Sequence, residues 1–146
     1  MRVTYPVILT ECDTNILIEI PDLGILTEAN EEGKPKGSIS DAIMMARDAI
    51  GLSCINAEDE GKSLVEPSYL SEIDVSNGTF YNDGISTKTL VDVDLTVYRR
   101  KIDTKTVRRN VALPSWLNYE AEQAGINVSR ILQEALIATL GLERRI

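Results

Sequence analysis

Apolar and polar residues alternate from the start of the chain, and the frame of that alternation shifts where the chain must turn. The run "VTYPVILTECDTNILIEIPDLGILTE" puts Val3, Tyr5 and Val7 on one face and Ile16, Ile18 and Ile20 on another, with a polar turn over residues 11–15. A period of two belongs to a half-buried strand, so this run predicts a hairpin, with a third short strand after Pro21 and Asp22. From Ser38 the period lengthens, and Ile39, Ala42, Ile43, Ala46, Ala49 and Ile50 fall on one helical face. Ser38 is placed to cap that helix, Asp41 stands three residues on near its positive end, and Gly51 marks the expected stop. "KTLVDVDLTVY" returns to the strand period, with Val91 and Val93 opposing Leu90, Asp92 and Asp94, and a break of frame at Leu95. Strand, strand, strand, helix, strand predicts a small antiparallel sheet with one helix packed on one face. Residues 56–84 are polar with short apolar groups and read as loop, with a turn or strand near 71–75.

The last part of the chain has its own pattern. Val107, Val111 and Leu113 alternate with Arg108, Asn110 and Ala112, the period of a strand with one apolar face. Pro114 ends it, because proline lacks the amide a sheet requires and suits the first turn of a helix. Leu117, Ala121 and Ala124 then follow helical spacing up to Gly125; Asn127 is a good cap for a second helix, whose stripe is Ile131, Leu132, Ala135, Leu136 and Leu140 and whose end is Gly141. One strand and two helices cannot bury those faces or pair that lone strand, so a partner is needed, and an identical chain supplies it. Two such strands paired across a two-fold axis make a ribbon that fits the DNA major groove. Arg108, Asn110 and Ala112 would face the bases: Arg binds guanine through two bonds, Asn does the same for adenine, and Ala meets a thymine methyl. Thr106 beside the ribbon, and the helix start at Asn127, Val128 and Ser129, would meet phosphates.

Composition narrows the chemistry. The 146 residues suffice for one core, or for a compact domain and an appendage. No run approaches the roughly 20 apolar residues of a membrane span, so no membrane partner and a cytoplasmic location are expected. Cys12 and Cys54 have no nearby Cys or His partner, and the chain has no histidine, which removes the usual zinc spacings and every His-based triad. Both read as reduced thiols; no metal, no cofactor and no enzymatic role are expected. Asp92 and Asp94, with Asp13 or Asp22, could imitate nuclease carboxylates, but an exposed acidic strand explains them as well. "EEGKPKG" at 31–37 is a charged loop whose lysines stand wrongly for a phosphate-binding P-loop. Residues 1–97 hold 6 Lys and Arg against 18 Asp and Glu, whereas residues 98–146 hold 9 against 5. Such asymmetry suits a tail that meets a polyanion and a body that meets something basic.

"RNVALP" followed by "GINVSRIL" resembles the ribbon-helix-helix repressors, with Arg109 standing where an apolar residue would be expected. "YPVIL", "ILIEIPDLGILTEA" and "SISDAIMMARDAIGL" resemble the N-terminal domain of HicB-type antitoxins, although Pro21, Asp22, Leu23 and Gly24 lack the second proline of that family's turn. The resemblance implies an α+β chain: a HicB-like, partly RNase-H-like domain over 1–97, a linker over 98–105, and a ribbon-helix-helix dimerisation module over 106–146. It implies an antitoxin that neutralises a HicA-type mRNA-cleaving toxin and represses its own operon. Its partners would be that toxin, operator double-stranded DNA, and a second copy through residues 106–141, with room for a higher oligomer. The toxin-contacting residues are left open, with Glu58, Asp59 and Glu60 the weakest of candidates. The other reading is a ribbon-helix-helix repressor whose N-terminal domain senses a small ligand, with no toxin.

Overall fold

In the computed structural model, which describes residues 1–29 and 37–142, the alternating runs become four strands. They are β1 (Arg2–Glu11), β2 (Ile16–Ile20), β3 (Ile25–Ala29) and β4 (Ile85–Asp94), and they form one antiparallel sheet in the order β3-β2-β1-β4. β1 sits in the middle, with Tyr5 opposite Val91 and Leu9 opposite Ile18. The loop expected over 31–37 lies, apart from Gly37, outside the described residues.

Helix α1 (Ile39–Asp59) covers one face of the sheet. It starts as expected: the Ser38 hydroxyl accepts the Asp41 amide at 3.1 Å and the Asp41 carboxylate accepts the Ser38 amide at 3.2 Å. Ala42, Ala46, Ile50 and Cys54 pack onto Tyr5, Val7, Leu9, Ile16, Ile18, Ile20, Val91 and Val93. Gly51, expected as the stop, is instead buried in the middle of a longer helix. A helical glycine costs about 1 kcal/mol relative to alanine. Here the ring of Tyr98 lies where a side chain would begin, so the missing Cβ serves packing rather than termination.

The opposite face is covered too, which period-two alternation could not reveal. Residues 5–10 of β1 are buried on both faces. The second cover is the segment 61–84, which contains single 3-10 turns at Leu70–Glu72, Val75–Asn77 and Tyr81–Asp83 rather than a strand. It is tied down at intervals. Asp22 accepts the amide and hydroxyl of Ser68 at 2.8 and 2.7 Å. The Lys88 ammonium donates to the carbonyls of Leu70 and Ile73 at 3.0 and 2.8 Å, and the Glu19 carboxylate accepts the Thr79 amide at 3.1 Å.

The frame breaks at Leu95 because β4 ends at Asp94 and α2 (Leu95–Ile102) begins there. The Asp94 carboxylate accepts the amides of Thr96 and Val97 at 3.0 and 3.3 Å, an N-cap that turns strand into helix. The expected linker over 98–105 is therefore corrected. α2 folds back on the sheet unit, Leu95 and Tyr98 are buried, and the compact units are Met1–Asp103 and Thr104–Ile146. Tyr98 donates to the Asp48 carboxylate at 2.8 Å, and Arg99 reaches Asp59 at 2.9 Å and Glu58 at 3.4 Å. With that boundary, the first unit holds 9 Lys and Arg against 19 Asp and Glu and the second holds 6 against 4, so the basic excess of the tail is smaller than the sequence suggested.

Candidate dimer and nucleic-acid interface

The second unit consists of α3 (Ser115–Ala124) and α4 (Val128–Leu140), both where the spacing predicts them. Pro114 stands at the start of α3, and Gly125 and Gly141 end the two helices with φ of 64° and 66°, the left-handed region that glycine enters without a Cβ penalty. The Asn127 side chain accepts the Arg130 amide at 3.1 Å, which is the expected cap. An α-helix leaves its first amides without carbonyl partners, so capping one of them leaves those of Val128 and Ser129 directed at the space beyond the helix end. That arrangement suits an anion. Arg130, which the sequence reading passed over, stands in the same first turn and pairs with Glu134 at 3.2 Å.

Residues 107–113 are corrected from strand to a segment with no strand or helix in the single chain. Edge-to-edge pairing is what defines a strand, and this segment has nothing in its own unit to pair with. Thr106, Arg108, Arg109, Asn110 and Ala112 are all exposed. Arg108, Arg109 and Asn110 make no hydrogen bond or ion pair among the described residues. Thus the chain by itself brings Asn127, Val128 and Ser129 together at one helix start and leaves Thr106, Arg108, Asn110 and Ala112 as an unpaired segment.

The apolar stripe is formed but not covered. Val107, Val111, Trp116, Leu117, Ile131, Leu132, Leu136 and Leu140 are all exposed, with Trp116 at 68% and Leu140 at 67%, and Ala121 is the residue of the two helices that is buried. Fully burying one Leu or Ile side chain is worth about 1.5–3 kcal/mol, so a set of this size exposed to water is a large unused driving force.

Three of the four carboxylates weighed as nuclease ligands, Asp22, Asp92 and Asp94, are engaged elsewhere. Asp92 accepts from Arg2 at 2.7 Å and pairs with Arg47 at 3.4 Å, and the hydrogen bond from Arg2 holds its carboxyl below the usual range. Asp94 caps α2, and Asp22 holds Ser68. Glu58 and Asp59 pair with Arg99, and Glu60 pairs with Lys62 at 2.6 Å. Among the described residues no group of three or more His, Cys, Asp or Glu is placed to hold a metal ion, and no helix is long and apolar enough to cross a membrane.

No protein-family model matches the chain, and no curated protein matches it in sequence. Among solved structures, the HicB antitoxin of Burkholderia pseudomallei is similar over 95% of this chain and 97% of its own, at 20% identity and a TM-score of 0.47. A chain of a toxin-antitoxin complex from Streptococcus pneumoniae is similar over 95% of this chain and 99% of its own, at 21% identity and a TM-score of 0.58. The likeness to the pneumococcal chain shows a shared fold.

Proposed function

We propose that the chain is an antitoxin with two separable tasks. The Met1–Asp103 unit binds and neutralises a HicA-type mRNA-cleaving toxin. The Thr104–Ile146 unit pairs with a second copy, forms a two-stranded ribbon from residues 106–113, and represses its own operon by inserting that ribbon into the DNA major groove. The observation that carries the reading is the likeness of fold over 95% of this chain to a chain of a toxin-antitoxin complex. Two features of the second unit support the dimer: a segment, 106–113, that is neither strand nor helix and makes no backbone hydrogen bond among the described residues, and a helical stripe exposed along its length. In the dimer the two segments pair with each other and the two stripes cover each other. Arg108, Asn110 and Ala112 are then the base-reading positions, and Thr106 with the α4 start at Asn127, Val128 and Ser129 meets phosphates.

The acidic balance of the first unit suits a basic toxin, since charge complementarity steers encounter. The test is growth rescue. Expressing the product of the adjoining reading frame alone should arrest growth, and co-expressing this chain should restore it. Absence of arrest, or arrest that this chain does not relieve, would overturn the toxin half of the reading.

A further inference from the structure

Arg109 is a cation in an apolar frame. In the alternation of 107–113 it falls with Val107, Val111 and Leu113, and not with Arg108, Asn110 and Ala112. It is exposed in the single chain and makes no hydrogen bond or ion pair among the described residues. When a second copy covers the apolar stripe of α3 and α4, the face that carries Val107, Val111 and Leu113 turns inward with it. A guanidinium left beneath that cover without a partner costs far more than an aliphatic side chain there would gain. The charged head must therefore leave the covered face, and arginine does so by laying its methylene stem along apolar surface and carrying the charge past its edge.

Charge decides what it meets there. Among the described residues of the second unit the cations are Lys105, Arg108, Arg109 and Arg130. Arg130 pairs with Glu134, Lys105 interacts within its own chain, and Arg108 stands on the base-reading face. Arg109 is the cation that remains for a polyanion with one negative charge per ~1.7 Å of helix axis. The described carboxylates of the unit all lie on the helices, where Glu134 holds Arg130 and Glu122 accepts from Asn118 at 3.4 Å, which leaves Glu120 as the competing partner. Two paired strands ~4.8 Å apart occupy the middle of a groove ~12 Å wide, so a wall of phosphates stands within side-chain reach on either side of the ribbon. The planar fork of a guanidinium bonds two phosphate oxygens at once.

We propose that Arg109 is a phosphate clamp: in each copy its stem lines the apolar face of the ribbon and its guanidinium bonds the DNA backbone at the ribbon's margin. The inference rests on the ribbon reading of residues 106–113 and adds to it a residue that supplies affinity without reading sequence. It gives a reason for a charge in an apolar frame, since the position gives up dimer stability for grip on DNA.

The full-length chain is measured as wild type, Arg109→Leu, Arg109→Lys and Lys62→Gln against two duplexes of equal length, one taken from the DNA directly upstream of its own reading frame and one of the same composition scrambled, over about 50 to 200 mM salt. Arg109→Leu should weaken binding to both duplexes by the same factor, about 10- to 100-fold near 0.1 M salt, and should lower the slope of log affinity against log salt by about 2, one phosphate per copy. Its dimer, followed by sedimentation, should be as tight as that of wild type or tighter, because an apolar residue completes the face. Arg109→Lys keeps the charge and should keep the slope. Lys62→Gln removes an exposed cation of the sheet unit and should change neither affinity nor slope. An unchanged slope in Arg109→Leu, or a loss confined to the upstream duplex, would overturn the clamp. So would a weaker dimer, which would put the guanidinium on a carboxylate of the second copy such as Glu120. Equal binding of both duplexes by the wild type, or a monomeric wild type, would instead overturn the ribbon reading on which the inference rests.

Discussion

Gly51 and Tyr98 are in contact across the α1–α2 junction: a Cβ added to Gly51 would lie 2.8 Å from the Tyr98 ring. This close approach docks α2 on the sheet unit and carries the chain away at Asp103. Gly51→Ala should gain up to about 1 kcal/mol of helix propensity. Forcing a methyl into a filled site costs about 1–3 kcal/mol, so the net effect should be destabilising. Urea unfolding of the full chain measures the sign. Gly51→Ala combined with Tyr98→Leu should recover most of the loss, whereas a stabilised single variant would show that α2 is not docked there.

Burial pushes the phenols of Tyr5 and Tyr98 up to about 12, with the Cys54 thiol adding to the first and the Asp48 carboxylate to the second. Each folded value stands above the ordinary value of 10.0, so the stability the two phenols contribute is fully present below that value. It is lost as pH rises from about 10 toward 12. Ultraviolet titration of tyrosinate, run beside unfolding by circular dichroism, should show the last two phenols ionising together with loss of structure. Their ionisation near the ordinary value in a folded chain would contradict the packing described.

Leu136 lies in the middle of the exposed α4 stripe. If a second copy covers it, Leu136→Ala should cost about 2–5 kcal/mol per buried site and weaken the dimer by a factor of 30 or more, at the order-of-magnitude level of ~1.4 kcal/mol per tenfold. Sedimentation analysis over a dilution series reads this directly. A monomeric wild type, or a variant that dimerises equally well, would contradict the interface.

Arg108→Ala and Asn110→Ala should each lower affinity for the operator by about 1–3 kcal/mol, roughly tenfold to a hundredfold, while binding of the toxin is untouched. Fluorescence anisotropy with specific and scrambled duplexes checks this. An equal loss on both duplexes would assign these residues to the phosphate backbone rather than to the bases.

Much of the sheet unit is legible in the alternation of Tyr5, Val7 and Ile16, Ile18, Ile20, because one buried face imposes a period of two. The cover on the other face was not, since the segment 61–84 is held by side-chain to backbone bonds from Asp22, Glu19 and Lys88, which are long-range and leave no periodic mark. Gly51 reads as a helix end in sequence because the reason for a glycine there, the Tyr98 ring, stands 47 positions further along the chain, by subtraction of the two numbers. Likewise "YRRKI" reads as linker because its charges outnumber its apolar residues, yet Tyr98 is buried against α1 and Arg99 pairs with Glu58 and Asp59 on the same helix. At the candidate interface, the caps at Asn127, Gly125 and Gly141 were legible because capping is local. The alternation at 107–113 is legible in the sequence but makes no strand in the single chain, because a strand exists only where its backbone groups meet a pairing segment, and the described residues of its own unit offer none.

The measurement that bears most directly on the proposed role is the mass of what this full-length chain carries when it alone is tagged and the adjoining reading frame is expressed with it. The account predicts a complex containing two copies of this chain and a small basic protein in fixed ratio. A homodimer with nothing bound, obtained while the adjoining product is soluble and present, would contradict it.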